Sequence, residues 1–175
     1  EKDKVSRVLC LNKAKFIELM NSLKDLQPHG IEIEQTGHAT GLVYNETNTW
    51  IYVDHDFISN TNINLIADHL FAHRAKDIDR VSEDFIMLNI CGYMPKDANI
   101  KDECKEKLDA YANFYSEIAL NKLLERDIIS RLIASNDIEG LKNLLGHEDI
   151  DLNANNKDGL NPLIRAILNK INICI

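Results

Sequence analysis

Two side chains near the middle of the chain have the chemistry for assisted acyl transfer. His38 carries an imidazole that can take and return a proton near neutral pH, and Asp54, 16 residues further on, carries a carboxylate that can fix the tautomer of such a ring. The third member of a site of this kind is a nucleophile within reach of the imidazole. Cys10 precedes His38, in the order cysteine, histidine, aspartate, and stands two residues before an expected helix start, where the dipole lowers a thiol pKa. Its neighbours Val8, Leu9 and Leu11 are apolar, which favours inert packing in a core. Cys91 falls inside an expected buried strand, and Cys104 and Cys174 carry no chemical signal. The nucleophile is not identified in this chain. For His38 and Asp54 the plainer reading is a buried histidine satisfied by a carboxylate in an ordinary sheet.

Metal chemistry has weaker support. His69 and His73 share one helical face four residues apart, but Leu70 stands where the His-Glu-x-x-His motif has its glutamate. Asp54 and Asp56 would converge on one face of a strand while His55 points away. No metal and no other cofactor is expected.

The elements that must position these residues follow from periodicity. Lys4 to Leu11 reads as a strand, Asn12 as the N-cap of a helix ending near Lys24, and Gln27-Pro28-His29-Gly30 as a turn. Ile31 and Ile33 alternate with Glu32 and Glu34 as in a half-buried strand. His38 to Tyr44, the polar tip Asn45 to Thr49, and Trp50 to Val53 form a hairpin that returns Asp54 to the end of the sheet where His38 begins. Gly37, Ala39 and Gly41 would admit a substrate backbone, and Trp50 and Tyr52 would shield one side. Asn62 to Lys76 reads as a helix, Asp84 to Tyr93 as a buried strand, and Lys101 to about Leu124 as a helix joining two domains. Ile128–Ser135 and Ile138–Leu145 are two short helical patterns.

The chain has 175 residues, 45% of them hydrophobic and 27% charged, and this composition excludes wholesale disorder. A formal net charge of -8 argues against nucleic acid as a partner. No apolar run approaches the roughly 20 residues that a membrane span needs, the opening Glu-Lys-Asp-Lys resembles no signal peptide, and a soluble chain is expected. Four scattered cysteines suit a reducing compartment.

Asp158-Gly159-Leu160-Asn161-Pro162-Leu163 resembles the opening of an ankyrin repeat, with Asn161 in place of the usual threonine. Asn136 to Leu145 resembles the second helix of the preceding repeat, and Ile150-Asp151-Leu152-Asn153-Ala154 resembles its tail. The resemblance implies a helical solenoid of which residues 127–175 hold the first one and a half units, and a partner protein bound on its concave face. Leu145 followed by Asp151-Leu152-Asn153 is similar to the pattern modified by the asparagine hydroxylase of ankyrin repeats, with Asn153 as acceptor. The plainer role for Asn153 is a side-chain bond across the turn.

Gly37-His38-Ala39-Thr40-Gly41-Leu42-Val43, followed by Trp50-Ile51-Tyr52-Val53-Asp54, resembles the papain-like cysteine proteases of the YopT type. That resemblance implies His38 as general base and Asp54 as its orienting partner. His55-Asp56 stands where the family has proline-asparagine, and the family's nucleophilic cysteine lies much further upstream than the 37 residues before His38 allow. The implied fold is α+β, an antiparallel papain-like sheet with helices over residues 1–100, a linking helix over 101–126 and the all-α ankyrin solenoid from 127. Together the two resemblances imply a virulence effector of the Legionella type, secreted by a bacterium into the host cytoplasm or nucleus. It would combine a cysteine-protease-like hydrolase module with repeats that bind host proteins. The alternative is a catalytically inactive protease-like scaffold that acts purely through protein–protein interaction.

Overall fold

The computed structural model describes residues 3–26, 28, 30–35, 38–45, 49–55, 57–74, 85–112, 122–146, 151–153, 155 and 159–168. The chain divides into two compact units, Glu1–Tyr111 and Ala112–Ile175. It is an α+β protein built around an antiparallel six-stranded sheet.

In the first unit, the strands are β1 (Asp3–Asn12), β2 (Gly30–Gln35), β3 (His38–Tyr44), β4 (Trp50–Asp54), β5 (Phe57–Thr61) and β6 (Phe85–Met94), in the spatial order β1-β6-β2-β3-β4-β5. The period of two divides their side chains between two faces. Ile31 and Ile33 of β2, Leu42 of β3, and Trp50 and Tyr52 of β4 are buried on one face, and the residues between them are only half-buried. β6, paired on both sides, is buried along most of its length on both faces. β5 is absent from the sequence-based expectation because Phe-Ile-Ser-Asn-Thr offers only two apolar residues.

Among the described residues, three helices cover the apolar face. α1 (Lys13–Lys24) starts at Asn12, whose side chain accepts the Lys15 amide at 2.8 Å, and buries Phe16, Leu19, Met20 and Leu23 at the spacing of one helical face. α2 (Ile63–His69) is capped in the same way by Asn62 and continues as a π-helical turn over Leu70–Arg74. Phe71 of that turn meets Phe16 with ring centroids 5.9 Å apart. α3 (Ala98–Ala112) begins three residues earlier than its apolar pattern, because Asp97 accepts the amides of Asn99 and Ile100. It packs so closely on β6 that a Cβ at Gly92 would lie 3.1 Å from the Cys104 sulfur. The expected continuation of this helix over 113–121 lies outside the described residues.

In the second unit, α4 (Lys122–Ala134) packs against α5 (Ile138–Leu145) and α6 (Pro162–Leu168). Asn136 turns the chain between α4 and α5 at φ 55°, a left-handed conformation that asparagine tolerates. Asp137 then caps α5 by accepting the Gly140 amide at 3.0 Å. Asn161 accepts the Ile164 amide at 2.9 Å and so does the capping work of a threonine before Pro162. Among the described residues, no helix is long and apolar enough to cross a membrane.

Candidate functional site

His38 opens β3 and Asp54 closes β4. The two strands pair in the register Gly41–Val53 to Tyr44–Trp50, so one step beyond it Thr40 falls level with Asp54 and His38 lies diagonally from the carboxylate on the same face. His38 Nε2 stands 3.1 Å from Asp54 Oδ1. The contact is close, yet the buried Nε2 makes no hydrogen bond with it.

The carboxylate is held from several sides. Its side chain is fully buried, Oδ1 accepts the His55 backbone N–H at 2.7 Å, and Oδ2 accepts the Tyr52 hydroxyl at 3.3 Å. Tyr52 in turn meets the His69 ring edge-on at 5.7 Å, so α2 braces the phenol that braces the carboxylate. Nε2 is the ring nitrogen nearer to Asp54. His38 keeps 19% of its side-chain surface exposed.

No described thiol shares this site. Cys10 lies on β1, three strands from β3 and therefore about 14 Å away across the sheet. Cys10 and Cys91 both leave the sheet on the face opposite His38, as the registers of β1, β6, β2 and β3 require. Cys104 is buried on α3. Burial pushes the Cys10 thiol up to about 12 and those of Cys91 and Cys104 to about 11, so all three remain protonated near neutral pH. Cys174 lies outside the described residues.

No known family, curated protein or solved structure matches the chain.

Several expected features take other places. Ala39 and Gly41 alternate with His38 and so point away from the ring. They floor a groove of about 440 Å³ on the opposite face, which runs from Tyr93 and Glu32 across to Val53 and His55. Gly37 and Asp56 lie outside the described residues, as does the side chain of His73. Trp50 and Tyr52 are buried on the same face as His38, and Tyr52 is bonded to Asp54 as well as shielding it. Asn153 is exposed, and its backbone N–H donates to Asp151 Oδ1 at 3.0 Å, the bond of a local turn.

One cluster was missed. On the groove face, Glu32, Glu34 and Cys91 bring their ligand atoms within 4.8 Å of one another, beside Lys4, Asn89 and Tyr93. The alternation Glu32/Glu34 and Asn89/Cys91/Tyr93 was readable as two one-sided rows. That the rows adjoin depends on β6 inserting between β1 and β2, which no local pattern announces.

Proposed function

We propose that the first unit is the histidine–aspartate part of a papain-like, YopT-type cysteine-protease-like domain, and that the second unit begins an ankyrin solenoid. In this reading His38 accepts the proton of a cysteine thiol and later returns it to the leaving amine, while Asp54 holds the imidazole. The thiol is supplied by residues outside those described. The single observation that carries the reading is the 3.1 Å approach of His38 Nε2 to the fully buried, multiply held Asp54 carboxylate across neighbouring strands. The turn at Gly159, with φ +75°, and the Asn161-Pro162 helix start support the ankyrin reading. The apolar surface of α6, with Leu163, Ile167 and Leu168 more than half exposed, suits a repeat that stacks on a neighbour. The protein would then be a secreted bacterial effector whose repeats bind a host protein.

The test is labelling of the complete reading frame with an epoxide thiol probe at neutral pH, with the modified cysteine located by mass spectrometry. One cysteine labelled rapidly, and lost from labelling in His38→Ala, supports the enzyme. Uniform slow labelling of all thiols supports the second reading, a scaffold without chemistry, which the burial of Cys10, Cys91 and Cys104 favours.

A further inference from the structure

β2 and β6 are hydrogen-bonded neighbours whose register sets Glu32 level with Cys91 and Glu34 level with Asn89. These four side chains leave the sheet on the face opposite His38. One carboxylate oxygen from each glutamate and the Cys91 sulfur lie within 4.8 Å of one another. Asn89 is 4% exposed; its Nδ2 donates to Glu34, and its Oδ1 is buried without a hydrogen-bond partner. A buried carbonyl oxygen left without a hydrogen-bond partner is costly. A cation already stands at the cluster, since Lys4 Nζ lies 3.8 Å from both Glu32 and Glu34.

We propose that Glu32, Glu34 and Cys91, beside the buried Asn89 whose Oδ1 has no hydrogen-bond partner, form a binding site for a divalent transition-metal ion of the zinc type, closed by the Lys4 ammonium when the metal is absent. A set of one sulfur and several oxygens selects a borderline ion over calcium or magnesium, which take oxygen alone. Ligand atoms around tetrahedral zinc sit about 3.5 Å apart, so the cluster must contract by about 1 Å. The glutamate side chains, about a third exposed, have the freedom to supply that movement. Binding breaks the Cys91 S–H bond and forms a sulfur–metal bond, and the proton passes to solvent water. Lys4 swings outward, where 42% of its side chain is already exposed. The site is independent of the His38–Asp54 pair, and its fate does not affect that reading.

The experiment is titration of the chain with Co2+ alone at neutral pH, reading the thiolate-to-cobalt charge-transfer absorption in the near ultraviolet. One equivalent should develop the band, and His38→Ala should leave it unchanged. Cys91→Ala should remove the band. Should that buried substitution unfold the chain, Glu34→Gln at the half-exposed position should weaken binding by about tenfold. Lys4→Met should tighten binding by about tenfold, the opposite of what a purely structural role for the lysine predicts. Absence of the band in the unsubstituted chain, its persistence in a folded Cys91→Ala, or unchanged or weaker binding in Lys4→Met would overturn the proposal.

Discussion

Tyr52 and Asp54 stand two residues apart on β4 and therefore on one face, and the phenol donates to Asp54 Oδ2 at 3.3 Å while Oδ1 faces His38. The strand's own period thus sets the phenol against Oδ2, while Oδ1 both accepts the His55 backbone N–H and faces His38. Asp54→Asn retains the shape but removes the charge, and Asp54→Ala leaves the His55 amide and the Tyr52 hydroxyl without their acceptor. Urea denaturation should show Asp54→Ala destabilised by about 1–3 kcal/mol, the cost of unpaired polar groups in a buried setting. An unchanged midpoint would mean that the carboxylate does not hold this corner of the sheet.

Tyr52→Phe removes one hydroxyl and keeps the ring that packs against His69. The expected loss is about 0.5–1.5 kcal/mol, the worth of a single hydrogen bond, and it should disappear in an Asp54→Ala background. Equal losses in both backgrounds would show that the phenol acts elsewhere.

In the second unit Gly140 leaves no room for a side chain. A Cβ there would lie 2.7 Å from Leu132 Cδ2 and 2.9 Å from Asp137 Oδ2, the carboxylate that caps α5. Gly140→Ala would gain up to about 1 kcal/mol of helix propensity in an open helix, yet here overpacking of about 1–3 kcal/mol should win. Thermal denaturation of the variant should show a lower midpoint, and a higher one would contradict the close approach of α4 and α5.

The three buried thiols make stability fall in alkali. Their ordinary value is near 9, and burial raises Cys10 to about 12 and Cys91 and Cys104 to about 11. Below pH 9 both folded and unfolded chains keep these protons, whereas above it the unfolded chain loses them first, so stability falls as pH rises towards 11. Each thiol contributes a slope of up to about 1.4 kcal/mol per pH unit. Denaturation of Cys10→Ala across the same range should show a shallower decline than the unsubstituted chain, and parallel slopes would contradict the burial of that thiol.

Much of the site was legible because its determinants are local. Asn12 marks the start of α1 through its own side chain, and the polar tip between Tyr44 and Trp50 sets both ends of the hairpin that brings His38 to Asp54. Asn45 closes that tip by accepting the Thr49 amide at 2.9 Å. What escaped was non-local. The facing of Ala39 and Gly41 away from His38 was available from the period of two, but the groove they floor exists only because β2 and β6 extend the sheet beside them. The Glu32–Cys91 pairing spans strands with three others between them in sequence, and β5 carries too little apolar pattern to be seen before β4 is there to pair with it.

The most direct measurement is a double-variant cycle on thiol reactivity in the complete protein, comparing the rates of probe labelling in His38→Ala, Asp54→Asn and the pair together. If imidazole and carboxylate act as one unit, the pair labels as slowly as His38→Ala alone, because the orienting group has nothing left to orient. Rates that fall by the product of the two single effects, or labelling indifferent to both substitutions, would contradict the account.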